Sequence, residues 1–263
     1  MEILVCVKRV PDTSENEITL NRAGNDIERD DLVYSVNEWD NYAVEEALQI
    51  VERLGGNVTV ATVGGEDDEE ILRREMAMGA KSSALICDEA FEGSDSAGIA
   101  TLLKAFVQKN RFDLILTGVQ AEDGAAQVGG MLAAMLDYPF ASLVSSIEVL
   151  NEKKLRVTRE IEGGNKELNE TDLPCVLSIQ TGINEPRYVG MRGIRQVASI
   201  VIPTLGASEL GIDKNSVGKI AAKVQRTDYF VPVLGKGAEM LGGSREKVID
   251  KVIELVKAKG GLK

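Results

Sequence analysis

Short apolar runs recur through residues 3–118, each parted from the next by a stretch with helical spacing. The runs are Ile3-Leu4-Val5-Cys6-Val7, Val58-Thr59-Val60-Ala61-Thr62-Val63, Ala84-Leu85-Ile86-Cys87 and Asp113-Leu114-Ile115-Leu116-Thr117-Gly118. A strand that is apolar throughout must be covered on both faces, as in a parallel sheet. After the first run, Asn37 stands as an N-cap, with acidic Glu38 and Asp40 in the first turn. Ala43, Ala47, Ile50 and Leu54 continue at helical spacing, and Gly55-Gly56 stop the helix. Further helices are expected over residues 67–78, closed by Gly79, over 94–110, and from about Gly124 to Leu136. This alternation predicts an α/β fold, a doubly wound, mostly parallel sheet with helices on both faces.

From Ser142 the pattern changes. Leu143–Val149, Leu155–Ile161 and Cys175–Ile179 read as strands with no helix between the first two, and are expected as antiparallel additions at the sheet edge. The polar segment from Pro11 to Val36 is expected to hold a hairpin around Ile18-Thr19-Leu20 and Ile27. Residues 184 to about 242 show little periodicity, which is unusual inside one compact domain. A long C-terminal arm packed on another chain explains it, burying Ile194, Val197, Ile200, Val201, Ile202, Leu205, Leu210, Tyr229 and Phe230 there; an extra domain is the alternative. Arg245 to Lys259 closes the chain as an amphipathic helix with Val248, Val252, Leu255 and Val256 on one face. The expected division is therefore residues 1–183, an α/β nucleotide-binding domain, and residues 184–263, the arm and final helix.

Composition removes several classes of function. The net charge of −12 lacks the clustered Lys and Arg that phosphate backbones require. With no histidine, Ser-His-Asp and Cys-His catalysis and histidine metal sites are excluded. Cys6, Cys87 and Cys175 lie far apart in apolar runs, so neither a disulfide framework nor zinc or iron–sulfur ligation is expected. The N-terminal run carries no signal-peptide pattern and no apolar run reaches membrane-spanning length, so the expected compartment is the cytoplasm.

Ligands of an open parallel sheet bind outside the carboxyl ends of strands near the topological switch point. Three segments follow such ends: residues 37–40, Val63-Gly64-Gly65, and the loop from Gly118 to Gly129. The loop's small residues let backbone amides approach a phosphate, and it opens a helix whose N-terminus favours anions. It carries neither a Walker motif nor G-x-G-x-x-G, and small residues at a helix start also serve plain packing. Glu160 and Glu162, alternate residues on a strand, have spacing that permits acid–base work.

Three blocks in order, Arg159-Glu160-Ile161-Glu162-Gly163-Gly164, Leu173–Ile179 and Gly182-Ile183-Asn184-Glu185-Pro186-Arg187-Tyr188, resemble the signature of the beta subunit of electron transfer flavoproteins. Ile3–Val10, Ser35–Ala47 and Met76–Ala80 extend the likeness nearly end to end, and its form is most similar to bacterial members of the trimethylamine-oxidising type. The resemblance implies an electron carrier with no catalytic residue of its own, a heterodimer whose alpha subunit holds most of the redox FAD. It implies AMP in this subunit, against Cys6, Asn37, Glu38, Trp39, Asp40 and Val63, with the phosphate on the loop residues Gly118, Val119, Gln120, Asp123, Gly124, Ala125, Ala126, Gln127, Val128 and Gly129. Pro11, Asp12 and Thr13 would lie near the flavin, although a plain surface turn explains them equally. Tyr188–Arg192 matches the loop that anchors a flavin dehydrogenase, with Met191 at the anchor position. Asn169 and a phosphate loop one residue short depart from the family pattern. Val10–Thr13 and Ala126–Gly129 are instead similar to electron-bifurcating members, which take hydride from NADH and hold a second FAD in place of AMP. A stand-alone nucleotide binder of the universal-stress type is a third reading, against which the long arm argues.

Overall fold

The computed structural model describes every residue except Asp123, Leu234, Lys236, Leu262 and Lys263. The chain divides into two compact units: residues 1–19 with 28–227, and residues 20–27 with 228–263.

In the larger unit β1 (Glu2–Cys6) leads into a short antiparallel ribbon of β2 (Arg9–Pro11) and β3 (Tyr34–Val36). There follow α1 (Glu38–Leu54), β4 (Asn57–Val63), α2 (Glu69–Met78), β5 (Ser82–Ile86), α3 (Ser96–Lys109), β6 (Leu114–Gly118) and α4 (Val128–Leu136). Next come β7 (Phe140–Asn151), β8 (Lys154–Ile161), β9 (Asn165–Asp172), β10 (Cys175–Ile179), α5 (Met191–Val197), β11 (Thr204–Leu205), α6 (Ala207–Leu210) and α7 (Gly218–Ala221). The main sheet has the order β11-β5-β4-β1-β6-β10-β7-β8-β9. Pairing is parallel from β11 through to β7 and antiparallel for β7-β8 and β8-β9. Strands β4 and β5 extend the sheet to one side of β1 and β6 to the other, so the switch point lies between β1 and β6.

Alternate residues of β1 explain the two helical layers. Ile3 and Val5 pack with Ala43 and Ala47 of α1 and Leu72 and Met76 of α2. Leu4 packs with Leu102 and Phe106 of α3 and Leu132 of α4. The doubly wound, mostly parallel sheet expected from the apolar runs is the observed one.

Four readings are corrected. Cys175–Ile179 is no antiparallel edge strand: β10 runs parallel between β6 and β7, and all of its residues are buried. The run is apolar almost throughout, the same signal that marked β1, and the absence of a preceding helix hid it. Second, β9 carries no hydrophobic pattern and was not expected. It is held by its ladder to β8 and by cross-strand pairs, Arg156 to Glu170 at 3.0 Å and Arg159 to Glu167 at 3.3 Å. Third, Val197, Ile202 and Leu210 need no other chain, because they are buried in the larger unit's own core. Val201 stays 87% exposed. Glu160 and Glu162 are also separated: the strand ends at Ile161, and Glu162 opens a tight turn in which Gly163 has φ +76°.

In the smaller unit Leu20 bridges Ile27, the contact expected of the first hairpin. Its helix α8 (Arg245–Ala258) is capped by Ser244, whose hydroxyl accepts from the Lys247 amide. Ile249, Val252 and Leu255 on α8 are exposed. No helix among the described residues is long and apolar enough to cross a membrane.

Candidate functional site

Cys6, Val63 and Gly118 end three neighbouring parallel strands. Cys6 stands in register with Ala61 of β4 and Thr117 of β6. The first turn of α1 closes over this point. Asp40, only 6% exposed, accepts from the Gly118 amide at 2.9 Å through Oδ1 and from the Lys8 amide at 2.8 Å through Oδ2. One carboxylate thereby ties the exit of β1 to the exit of β6. Burial pushes its pKa up to about 7 against these bonds, and burial together with Asp40 raises the Cys6 thiol. A Cβ on Gly118 would lie 2.5 Å from Asp40 Oδ1 and 2.6 Å from Trp39 Cβ, so this position accepts only glycine without a backbone shift.

Asn37 occupies the N-cap of α1 without capping it. Its Nδ2 instead donates to the Gln120 carbonyl at 2.8 Å, while its buried Oδ1 has no hydrogen-bond partner among the described residues. Trp39 Nε1 donates to Gln180 Oε1 at 3.2 Å. Glu38 is exposed.

The segment after Gly118 first follows the sheet, with the Val119 amide donating to Ile179 O at 3.0 Å. It then turns, Gly124 donating to Ala121 O at 2.9 Å. Gln120 and Gly124 to Gln127 are exposed, and Asp123 lies outside the described residues. Ala126 adopts the left-handed region at φ +55°, and Gln127 follows in the helical region. A left-handed residue followed by a right-handed one points successive N–H groups into one concavity. α4 begins there without a side-chain cap, so its first-turn N–H groups are free of intrahelical partners. Its first turn sits hard on the sheet: a Cβ on Gly129 would lie 2.5 Å from Ser178 Oγ and 2.8 Å from Thr117 Oγ1. Those two buried hydroxyls are themselves hydrogen-bonded at 2.8 Å.

Pro11-Asp12-Thr13 leaves β2 as a turn in which Asp12 Oδ1 accepts from the Ser14 amide and hydroxyl at 2.9 and 2.6 Å. The Ser14 bonds hold the Asp12 carboxyl below its usual value. Thr13 Oγ1 donates to Glu122 Oε1 at 3.3 Å, so the Pro11–Thr13 turn meets the Gly118–Gly129 loop. The structure thus brings Cys6, Asn37, Asp40, Gly118 and Gln120 together at the strand ends, with Thr13 reaching the same loop through Glu122. Met191 lies apart from them: it is 65% exposed at the start of α5, and nearby Tyr188 is 91% exposed.

Sequence reasoning assigned no role to the residues that hold the segment before Met191. Arg187 donates to Glu45 through Nε at 2.8 Å and to Glu52 through Nη1 at 2.6 Å, and its amide donates to Glu45 Oε2 at 3.1 Å. Asn184 Nδ2 donates to Tyr42 O and to Glu46 Oε2, both at 3.1 Å. Burial would raise Glu45, but bonds from Arg187 and Gln49 outweigh it and leave the carboxyl below its ordinary value. The signal was a polar motif facing Glu45, Glu46 and Glu52 on α1. Among the described residues no cluster of Cys, Asp and Glu is arranged to hold a metal ion.

Comparison with known proteins matches residues 25–210 to the electron transfer flavoprotein domain. The chain is similar to the electron transfer flavoprotein subunit beta of Methylophilus methylotrophus, 33% identical over 260 residues that cover 97% of this chain and 98% of that one. It is 36% identical over 247 residues to the caffeyl-CoA reductase-Etf complex subunit CarD of Acetobacterium woodii, covering 93% of each chain. Protein FixA of Azotobacter vinelandii is 36% identical over 220 residues, covering 81% of this chain and 77% of its own. With a doubly wound sheet and matches of this length, the chain belongs to the electron transfer flavoprotein family.

Proposed function

We propose that this chain is the beta subunit of a heterodimeric electron transfer flavoprotein, located in the cytoplasm, with AMP bound at the switch-point crevice. It carries electrons from flavin dehydrogenases to a downstream acceptor. The observation that carries the nucleotide reading is the pairing of an uncapped α4 N-terminus with an orphaned buried acceptor at the switch point. Uncapped N–H groups at the start of α4 suit a phosphate. Gly118 and Gly129 let the loop and the start of α4 lie close against α1 and the sheet. The orphaned Asn37 Oδ1 is an acceptor waiting for a hydroxyl or amine donor, which a ribose or adenine supplies. Cys6 and Val63 form the apolar floor at the strand ends.

The chemistry of electron transfer is that of the FAD, held mainly by the alpha subunit; this chain binds, orients and shields. Pro11-Asp12-Thr13 is the turn that approaches that flavin from the beta side, a reading supported by its bond to the Gly118–Gly129 loop through Thr13 and Glu122. Met191 is the anchor for the dehydrogenase, its unbranched thioether suited to an irregular pocket. Its exposure and that of Tyr188 support this role. The exposed Ile249, Val252 and Leu255 of α8 are assigned to the surface that the alpha subunit covers.

The test is to purify the complex with its alpha subunit, denature it, and quantify the released nucleotides. One FAD and one AMP per heterodimer is the expected result. Release of neither, with no partner retained, would overturn the proposal. The second reading is an NADH-dependent bifurcating complex with a second FAD in this chain. It is favoured by the 36% identity to a subunit named for a reductase-Etf complex, and it predicts two FAD and no AMP.

A further inference from the structure

We propose that Arg187 and Arg73 are positioning residues that grip the two ends of α5, so that Met191 reaches a flavin dehydrogenase on a pre-set surface rather than on a loose loop. The proposal rests on the reading of Met191 as the dehydrogenase anchor.

The two grips come from different helices. On the N-terminal side Arg187, four residues before Met191, spans Glu45 and Glu52, about two and four turns into α1. Its Nη2 reaches both as well, at 3.1 Å to Glu45 and 3.2 Å to Glu52. Glu45 is almost wholly buried, its side chain 4% exposed, and the Arg187 fork supplies the opposite charge while Gln49 Nε2 donates to Oε1 at 2.9 Å. On the C-terminal side Arg73 of α2 points Nη1 at three carbonyls that leave α5: Val197 at 2.8 Å, and Ala198 and Ile200 at 3.1 Å each. A cation there satisfies orphan carbonyls and complements the negative end of the helix. Arg73 is itself oriented by Glu69 one turn earlier.

Between the grips α5 lies against α2. A Cβ on Gly193 would approach Ala77 O to 3.1 Å, and Val197 enters the core. The opposite face carries Met191, Arg192, Ile194 and Arg195, all exposed. A seven-residue helix does not hold its own shape in water. Its order comes from these tertiary contacts, and an apolar anchor on an ordered platform binds without losing further conformational freedom.

The experiment uses the co-purified heterodimer and four variants, Arg187→Met, Arg73→Met, Glu52→Gln and Met191→Ala. Hydrogen–deuterium exchange is followed over residues 188–200, and KM and kcat are measured with a purified flavin dehydrogenase that reduces the unmutated complex. The expected result is slow exchange in the unmutated protein and fast exchange confined to this segment in the arginine variants. KM rises roughly tenfold, the loss expected when one or two side chains must be ordered at binding, while kcat holds. Glu52→Gln loosens the same grip while leaving buried Glu45 paired, and gives a smaller change in the same direction should Arg187→Met fail to assemble. Fast exchange in the unmutated segment overturns the proposal. So does faster exchange in the arginine variants with an unchanged KM, if Met191→Ala raises KM. An unchanged KM in Met191→Ala instead overturns the anchor reading on which the proposal rests.

Discussion

Glu75 of α2 is fully buried, and neither carboxyl oxygen has a hydrogen-bond partner among the described residues. Burial, with a small contribution from Asp40 and against the pull of Arg74, raises its pKa from 4.5 to about 8. The folded chain therefore holds a proton at neutral pH that the unfolded chain releases. The stability is intact below pH 4.5 and falls as pH rises towards 8, because over that window the native state binds the extra proton. At about 1.4 kcal/mol per pH unit, folding at pH 7 loses on the order of 3 kcal/mol to this one group. Glu75→Gln keeps the shape and removes the ionisation. We expect it to stabilise the protein by on the order of 3 kcal/mol at pH 7, a rise in Tm of roughly 6–12 °C, and to make almost no difference near pH 4.5. The assay is calorimetric Tm for both proteins from pH 4.5 to 8. A gap between them that does not grow with pH, or a less stable variant at pH 7, would refute the claim that Glu75 is buried as the neutral acid.

Three further outcomes follow from the same geometry. Gly129→Ala places a methyl against Ser178 and Thr117, so it should cost about 1–3 kcal/mol and lower the AMP recovered per complex, measured by chaotrope denaturation and nucleotide release. Asp40→Asn exchanges one of two acceptors for a donor facing an amide, at Gly118 or Lys8; it should destabilise by about 2 kcal/mol and detach the exit of β6, and unchanged exchange rates at Gly118 would contradict this. Asp88, held down to about 2 by bonds from the Ala90 and Ala207 amides and from Lys214, ties down the segment after β11. With a depressed folded pKa its contribution is present above about pH 4 and lost as pH falls towards 2, so proteolysis near residues 207–214 should begin in that window and at neutral pH in Asp88→Asn.

The candidate site was legible in part. That Cys6, Val63 and Gly118 end neighbouring strands was readable, because runs apolar on both faces mark parallel strands with helices on both sides. What each residue does there was not. Asp40, expected beside the nucleotide, spends both carboxylate oxygens on the backbone of Lys8 and Gly118. Asn37, read as a cap, reaches across to Gln120. Both partners are distant in sequence, and no local pattern encodes them.

The sequence alone determined the parallel core of the sheet, the two helical layers and the family, since hydrophobic periodicity and short motifs are local properties of the chain. Tertiary structure decided the rest. It put β10 between β6 and β7, where the burial of both faces outweighs the lack of a preceding helix. It made a strand of Asn165–Asp172, whose polar residues form one only because β8 offers an open edge and matching charges. It also brought Arg187 to Glu45 and Arg73 to the carbonyls of α5. Each of these rests on groups far apart in sequence meeting in space, and the energy that selects them exists only after the chain has folded.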